Sequence, residues 1–227
     1  KERLQEKQIP IQTLSGKTVT AYVNTHTDLS DELYREGKLV SDNYKNILRS
    51  QTNAAAIPAE VTVRYGVTVR RANLRNLPTG EGLFFYASDR NFDALQETAL
   101  DPGEAVAILH TSTNGYFYYV QAYNYRGWLS KFDVAETDRS TWLRYAEPKN
   151  FLTVVAKDYT LKADGAQVLF QQGARLQLAD KKASAYTVKV PVRTKEGKLQ
   201  EEKVVLAANA SLHQYLLIIA ATVSEPP

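Results

Sequence analysis

The stretch Ile108-Leu-His-Thr-Ser-Thr-Asn-Gly-Tyr-Phe-Tyr-Tyr-Val120 decides the fold of this chain. At its centre, Asn114-Gly115 separates two runs in which apolar and polar residues alternate, an arrangement typical of a β-hairpin. Asn-Gly favours a type I′ turn, because both central residues of that turn need a positive φ angle. The sequence therefore predicts a tight hairpin in the middle of the chain.

Four consecutive aromatic residues follow the predicted turn, from Tyr116 to Tyr119. Because successive side chains of a strand point to opposite faces, Tyr116 and Tyr118 are predicted on one face and the other two rings on the opposite face. One face must enter the core, and the other can leave two rings exposed for stacking on a sugar or a peptide. Cross-strand packing of the same rings within the sheet explains them equally well.

Short strands are predicted on both sides of the hairpin. The valines at positions 61, 63, 67 and 69 form two alternating pairs around Gly66, which is the period-two pattern of a half-buried strand with a break. The tripeptide Gly127-Trp128-Leu129 follows the hairpin. Short strands, a tight hairpin and a Gly-Trp pair are what a small closed β-barrel requires, so we predict one such domain over residues 60–148.

The remainder of the chain, residues 149–227, repeats this style. Strands are predicted at residues 151–156 and 186–192, with a turn at Asp164-Gly165. The apolar run over residues 216–221 is predicted as a buried strand or the start of a helix, because it is far shorter than the roughly 20 residues that cross a bilayer. We predict a second small barrel here and no transmembrane segment.

Residues 1–59 carry helix signals instead. Ser41 is a suitable N-cap for a helix over residues 42–49, in which apolar residues recur at helical spacing. Another helix is predicted over residues 30–37, with Gly37 placed to end it at positive φ. Residues 18–24 are a weaker candidate, because their β-branched side chains are stiff. The predicted fold class is mainly β, with two small barrels preceded by a short helical segment.

The composition narrows the possible functions. The 28 basic and 25 acidic residues are interspersed and nearly balanced, so no stripe for binding nucleic acid is predicted. The chain has no cysteine, which excludes disulfides, thiolate zinc sites and thiol catalysis within it. His26, His110 and His213 are scattered, without a nucleophile elbow, a phosphate loop or a metal-ligand cluster. We predict no catalytic residue, no cofactor and no metal.

Several segments together resemble the first bacterial SH3 domain of NlpC-type murein peptidases. They are, in order, residues 71–79, residues 91–100, the hairpin at 108–120 and Gly127-Trp128-Leu129. Val188-Lys-Val-Pro-Val-Arg193 and Glu196-Gly-Lys-Leu199 resemble parts of the second SH3 domain of that family. The resemblance implies a helical segment over residues 1–59, a first bacterial SH3-like domain over 60–148 and a second over 149–227.

The resemblance also implies a function and its residues. In that family a cysteine catalytic domain follows the second SH3 domain, so this chain is expected to lack the catalytic part. Family members present a tyrosine and an acidic group to the amino terminus of the substrate, and the matching positions are Tyr125 and Glu97. Packing beside Trp128 and simple solvation are the plainer explanations of these two residues. Trp128, Tyr116 and Tyr118 complete the predicted substrate-binding set.

The expected ligand is a murein stem peptide or muropeptide, and a catalytic peptidase domain is an expected partner. The expected location is the cell envelope of a bacterium, after export. Two alternatives stay open. The chain can be the N-terminal part of an intact γ-D-glutamyl-L-diamino acid endopeptidase whose cysteine domain lies beyond residue 227. It can also be a protein-interaction scaffold of the envelope that does not contact murein.

Overall fold

The computed structural model describes residues 12–25, 29, 31–209, 212 and 216–220. These residues form eighteen β-strands, three α-helices and two 3-10 helices, which confirms the predicted mainly β class. The chain divides into two compact units whose segments alternate along the sequence. The first unit is built from the described residues of 1–64, 72–100 and 106–133, and the second from those of 65–71, 101–105 and 134–227.

The elements are numbered in chain order. The strands are β1 Thr13–Ser15, β2 Tyr34–Arg35, β3 Lys38–Leu39, β4 Glu60–Thr62, β5 Arg64–Thr68, β6 Ala72–Arg75, β7 Gln96–Leu100, β8 Ala105–Thr111, β9 Phe117–Gln121, β10 Arg126–Ser130, β11 Val134–Thr137, β12 Asn150–Val154, β13 Asp158–Ala163, β14 Ala166–Gln171, β15 Arg175–Lys181, β16 Ala185–Arg193, β17 Leu199–Ala207 and β18 Leu216–Ala220. The α-helices are α1 Gly16–Asn24, α2 Asp42–Ser50 and α3 Arg139–Ala146. The 3-10 helices cover Ala54–Ala56 and Lys131–Asp133.

The main sheet of the first unit is antiparallel, with the strand order β8-β9-β10-β6-β7. Trp128 lies on its central strand, opposite Tyr119 of β9 and Arg75 of β6. All three residues are buried. Full burial of a large apolar side chain contributes about 1.5–3 kcal/mol, so the burial of Trp128 and Tyr119 stabilises this unit.

The predicted central hairpin is confirmed, because β8 and β9 pair on either side of Asn114 and Gly115. Its turn is not the predicted type I′, since only Gly115 has a positive φ, of 70°. The amide of Gly115 donates to the carbonyl of Ser112 at 2.9 Å, and Asn114 Oδ1 accepts from the amide of Tyr116 at 3.0 Å. The Asn114 side chain therefore accepts a hydrogen bond that holds the turn, and the backbone of Asn114 does not adopt the left-handed conformation.

Two of the three predicted helices form. Helix α2 follows Ser41, whose Oγ accepts a hydrogen bond from the amide of Tyr44, as predicted for an N-cap. Helix α1 contains the weaker candidate at residues 18–24 and begins at Gly16. The amide of Gly16 donates to the carbonyl of Ala59 at 2.8 Å, which joins this helix to the end of the N-terminal segment.

The helix predicted over residues 30–37 is wrong, and Ser30 itself lies outside the described residues. In its place β2 and β3 form a hairpin whose turn residues Glu36 and Gly37 both have positive φ. Tyr34 exchanges two backbone hydrogen bonds, of 2.7 and 2.9 Å, with Phe84. The partner that decides this conformation is distant in sequence, so local periodicity could not reveal it.

The second unit contains an antiparallel sheet with the strand order β17-β16-β15-β12-β18, together with the pairs β13-β14 and β5-β11. Its core is formed by apolar residues of these strands, among them Leu152, Phe170, Leu176 and Val188. The predicted turn at Asp164-Gly165 is confirmed between β13 and β14. The strand orders of the described residues are open, so closure into two barrels stays a prediction.

The apolar run at residues 216–221 forms a strand and not the start of a helix. Leu216–Ala220 forms β18, which pairs with β12, and Ala221 lies outside the described residues. Helix α3 of the same unit has Asp138 as its N-cap, with the carboxylate accepting from the amide of Thr141 at 2.9 Å. Hydrogen bonds from Ser140 and Thr141 hold the pKa of Asp138 well below its usual range.

We expect Gly127→Ala to destabilise the first unit. The added Cβ would lie 2.7 Å from the carbonyl oxygen of Arg75 and 3.0 Å from Leu74 Cγ. Overpacking of this kind costs about 1–3 kcal/mol. Gly80→Ala is the matched control, since nothing lies within 4 Å of its Cβ position. Urea denaturation measures both variants, and equal free energies of unfolding would show that the sheet relaxes around the extra atom.

Candidate functional site

Trp128 is a core residue of the first unit. Its side chain has no exposed surface, and its ring lies 5.2 Å from the ring of Tyr119 and 6.3 Å from that of His110. Within the described residues its indole Nε1 has no hydrogen-bond partner. Because a ligand could reach this ring only by opening the sheet, Trp128 supports its neighbours instead of offering a contact surface.

Helix α1 reaches the face of the sheet that carries Trp128. The hydroxyl of Tyr119 donates to the carbonyl of Tyr22 at 2.8 Å, and burial raises the pKa of this hydroxyl. The guanidinium of Arg126 lies 3.8 Å from the centroid of the Tyr22 ring. The N-terminal helical segment is therefore a cap on the first unit, which the sequence left undecided.

The tyrosines at positions 116 and 118 have different surroundings. Tyr116 is 54% exposed, and its ring centroid lies 6.0 Å from that of Phe132. Tyr118 is half-buried, with the guanidinium of Arg64 at 4.9 Å from its ring centroid. Both rings thus take part in a cation–π pair, Tyr116 with Lys131 and Tyr118 with Arg64, and Tyr116 is the more exposed of the two.

Tyr125 and Glu97 are both accessible. Tyr125 lies in the turn between β9 and β10, where its carbonyl accepts from the amide of Ala122 at 2.8 Å and its side chain is 45% exposed. Glu97 lies at a bulge in the pairing of β7 with β6 and is half-buried. In the described part of the chain neither the phenol of Tyr125 nor the carboxylate of Glu97 forms a side-chain hydrogen bond or ion pair.

The five predicted site residues are not gathered into one pocket. Tyr116 and Tyr125 lie at opposite ends of the β9–β10 hairpin, on the order of 15 Å apart at about 3.3 Å per residue. Strand β7, with Glu97, is two strand spacings from β10, or about 10 Å. A ligand that contacts both Tyr125 and Glu97 must therefore be an extended molecule.

The long loop between β6 and β7 contributes to the shortest and most buried ion pair described in the first unit, which the sequence analysis missed. Arg75 and Asp93 form an ion pair at 2.7 Å, and their side chains are only 6% and 17% exposed. Asp93 Oδ1 also accepts from the amides of Leu83 at 3.2 Å and Leu95 at 3.0 Å. No local sequence pattern predicts this ion pair, because the loop separates its two residues in the sequence.

The N-terminal segment packs against the same loop. A buried cluster joins it to the loop through Leu29, Leu33, Val40, Leu48, Leu77, Leu83 and Leu95. At the surface of this cluster, Arg35 forms an ion pair of 3.0 Å with Glu81, and the hydroxyl of Tyr44 donates to the same carboxylate. Burial, followed by the contact with Glu81, raises the pKa of Tyr44.

Three aromatic side chains of this loop point into solvent. Phe85 is 50% exposed, Tyr86 is 72% exposed and Phe92 is 77% exposed. Their signal in the sequence is the run Phe84-Phe-Tyr86 within a segment rich in Gly, Ser, Asp and Asn. A turn-forming segment with large aromatic residues favours an exposed recognition loop over a core element.

No group of three or more His, Asp or Glu residues within the described ranges could hold a metal ion. His110, the one histidine that the structure describes, donates from Nε2 to the carbonyl of Asn53 at 3.0 Å. His26 and His213 lie outside the described residues. None of the described helices is long and apolar enough to cross a bilayer.

Comparison with known proteins identifies part of the first unit. Residues 83–130 match the family model of the SH3 domain of the SH3b1 type, so a bacterial SH3 domain is present in the region predicted for the first one. No curated protein matches the chain. The match starts within the β6–β7 loop and ends with β10, and it thus contains the exposed aromatic residues, Glu97, Tyr116 and Tyr125.

A solved structure shares the fold. It is an NlpC/P60 endopeptidase from Photobacterium damselae subsp. piscicida, which superposes with a TM-score of 0.64 at 20% sequence identity. The superposition covers 90% of this chain and 44% of the endopeptidase. The chain therefore spans less than half the length of that structural neighbour.

We expect Asp93→Ala to destabilise the first unit by about 3–5 kcal/mol, because it leaves the guanidinium of Arg75 buried without its charge partner. Asp89→Ala is the control: Asp89 accepts from the amides of Asn91 and Phe92 in the same loop, but it is only half-buried and forms no ion pair with a residue of the described chain. Urea denaturation should show a clearly smaller loss for Asp89→Ala. Equal losses in the free energy of unfolding would mean that breaking the buried ion pair costs no more than losing the turn contacts of Asp89.

His110 is expected to make the stability of the first unit depend on pH. Burial lowers the pKa of His110, although the backbone carbonyls of Asn53 and Thr52 oppose this effect. The unfolded chain, in which histidine titrates near about pH 6.5, therefore binds this proton more readily than the folded protein. The free energy of unfolding should then fall as the pH drops below this value.

Urea denaturation of the wild type and of His110→Gln, at about pH 7.5 and about pH 5, checks this expectation. The loss of stability on acidification should be smaller in the variant. His26 and His213 are present in both proteins, so their contributions cancel in the comparison. The same loss in both proteins would assign the pH dependence to other groups.

Proposed function

We propose that this chain is a non-catalytic region of an NlpC-type peptidase that binds murein peptide and positions it for cleavage. One observation carries the proposal: an SH3b1-type segment, residues 83–130, lies in a chain whose fold is shared with an NlpC/P60 endopeptidase. The 227 residues contain no cysteine, so they supply no thiolate nucleophile. The role left to these residues is to hold a ligand or a partner domain.

The proposed location is the bacterial cell envelope, reached by export. Bacterial SH3 domains generally bind cell-wall peptidoglycan and accompany peptidases, which supports this location. We propose the three-part division of the chain at residues 1–59, 60–148 and 149–227, with the second SH3-like domain in the last part. The proposed partner is a catalytic peptidase domain.

Glu97 and Tyr125 are proposed to contact the stem peptide. Among the described residues the Glu97 carboxylate has no ion-pair partner, and such a carboxylate suits an ammonium group, since a charge-assisted hydrogen bond is roughly twice as strong as a neutral one. The phenol of Tyr125 would accept or donate one further hydrogen bond. The spacing between them suits a peptide that lies across β10 and β6, with its amino terminus at Glu97.

Tyr116, Tyr118 and Trp128 are proposed to have roles that differ from those of Glu97 and Tyr125 and from one another. Tyr116 is exposed and can contact a ligand directly, whereas Tyr118 lies under Arg64 and Trp128 is buried. Trp128 supports the site through β10, the strand that begins directly after Tyr125. A shallow surface with few polar contacts gives weak binding, so a peptidase domain that closes over the peptide would strengthen it.

Calorimetric titration of the chain with the free tripeptide L-alanyl-γ-D-glutamyl-diaminopimelate tests the proposal. We expect Glu97→Gln to weaken binding about 10- to 100-fold, because a hydrogen bond to a charged group contributes about 1.5–3 kcal/mol. Tyr125→Phe removes only a neutral hydroxyl and should weaken binding less. Glu60→Gln is the matched control, since Glu60 is an exposed strand carboxylate of the same unit.

Two outcomes would contradict the proposal. If the tripeptide does not bind, the chain is not a murein-peptide module, and capture of envelope proteins without wall fragments would favour the scaffold. If Glu60→Gln weakens binding as much as Glu97→Gln, the contact is general electrostatic attraction and not a site.

A second candidate function is that these residues belong to an intact γ-D-glutamyl-L-diamino acid endopeptidase. The observation that favours it is the extent of the match, which takes in 90% of this chain but 44% of the endopeptidase. The coding sequence beyond residue 227 tests it. An Asp-Cys-Ser motif in a following domain would support this function, and a stop codon there would exclude it.

A further inference from the structure

Tyr116 and Phe132 form an exposed aromatic surface at the end of the β9–β10 hairpin, which we call the Tyr116 platform. Their ring centroids lie 6.0 Å apart and the ring planes are inclined by 34°. Tyr116 is 54% exposed and Phe132 is 47% exposed. Two adjacent rings form one contiguous exposed patch, the kind of surface that interaction sites use.

Hydrogen bonds hold the backbone that carries both rings. The amide of Tyr116 donates to Asn114 Oδ1 at 3.0 Å, and its carbonyl accepts from the amide of Lys131 at 2.9 Å. The amide of Phe132 donates to Ser130 Oγ at 3.3 Å. Because the backbone that carries the rings is held before a ligand arrives, binding costs little backbone entropy.

A positive charge lies over both rings of the platform. The ammonium of Lys131 is 5.3 Å from the centroid of Tyr116 and 5.5 Å from that of Phe132. Within the described part of the chain this ammonium forms no ion pair. The site thus combines an apolar face with one cation that no carboxylate of the described residues neutralises.

These features define a ligand class. The C–H groups of a pyranose ring carry partial positive charge and suit the electron-rich faces of aromatic rings, and two rings about 6 Å apart cover one face of such a sugar. The ammonium selects an acidic substituent, because the partner charge is favoured at short range. A neutral sugar would use the rings but not Lys131.

We propose that the Tyr116 platform binds an acidic pyranose, and that in murein this sugar is N-acetylmuramic acid with its lactyl carboxylate at Lys131. That carboxylate is free once the stem peptide has been removed from the glycan. The platform is thus a sugar subsite separate from the peptide contacts at Glu97 and Tyr125. The choice of a murein sugar rests on the proposed function.

The test titrates the chain with N-acetylmuramic acid, N-acetylglucosamine and lactate, followed by calorimetry or by amide chemical shifts. We expect N-acetylmuramic acid to bind about tenfold more tightly than N-acetylglucosamine, and lactate to bind more weakly than either sugar. Lys131→Gln should abolish the preference for the acidic sugar. Phe132→Ala should weaken both sugars about tenfold, since it removes half of the stacking surface.

Tyr123→Ala is the matched control, because Tyr123 is 41% exposed in the same unit but lies in the turn at the other end of the β9–β10 hairpin, outside the platform. It should leave sugar binding unchanged, and thermal unfolding of each variant verifies that it folds. Lactate binding as tightly as N-acetylmuramic acid would reduce the site to a simple anion contact and overturn the proposal. A preference for the acidic sugar that survives Lys131→Gln would also overturn it.

The tripeptide titration separates this proposal from the proposed function. If the tripeptide binds and N-acetylmuramic acid does not, the sugar subsite is wrong and the peptide site stands. If the sugar binds and the tripeptide does not, the platform stands and the peptide-binding function fails.

Discussion

The buried ion pair between Arg75 and Asp93 is the interaction on which the first unit depends most. Arg75 lies opposite Trp128 in the main sheet, and Asp93 binds two loop amides, so one contact joins the sheet to its longest loop. A buried pair of this kind adds little net stability compared with apolar residues but is costly to break. Its main effect is therefore to specify one conformation of the loop.

The N-terminal segment completes this arrangement. Its leucines pack against the loop, its β2–β3 hairpin shares backbone hydrogen bonds with Phe84, and its first helix reaches Tyr119. A loop fixed from both sides can expose Phe85, Tyr86 and Phe92 without collapsing onto them. The aromatic surfaces of the unit are thus held in solvent by a rigid base, which is what a shallow binding site needs.

Local patterns predicted much of the fold. The hairpin at Asn114-Gly115, the N-cap at Ser41 and the turn at Asp164-Gly165 depend on neighbouring residues, and all three are present. The helix predicted over residues 30–37 failed because its backbone pairs with Phe84, far along the chain. The type I′ turn failed because the Asn114 side chain provides a hydrogen bond that the dipeptide rule does not consider.

The candidate site, like the fold, could be predicted only in part from the sequence. Strand alternation suffices to mark Tyr116 as an aromatic residue after a turn, the resemblance to the peptidase family marks Tyr125, and both are exposed. The same reasoning could not show that Trp128 is buried or that Tyr116 has Phe132 beside it, because burial and ring contacts depend on strands that meet only after folding.

The sequence by itself determined the β-rich class, the hairpin and the absence of a thiol nucleophile, since these follow from composition and from contacts between near neighbours. The tertiary structure alone decided that the N-terminal segment is a cap, that Arg75 meets Asp93 and that the predicted site residues are spread over one sheet. Such long-range contacts form only when distant segments share a core, and a single sequence leaves no local trace of them.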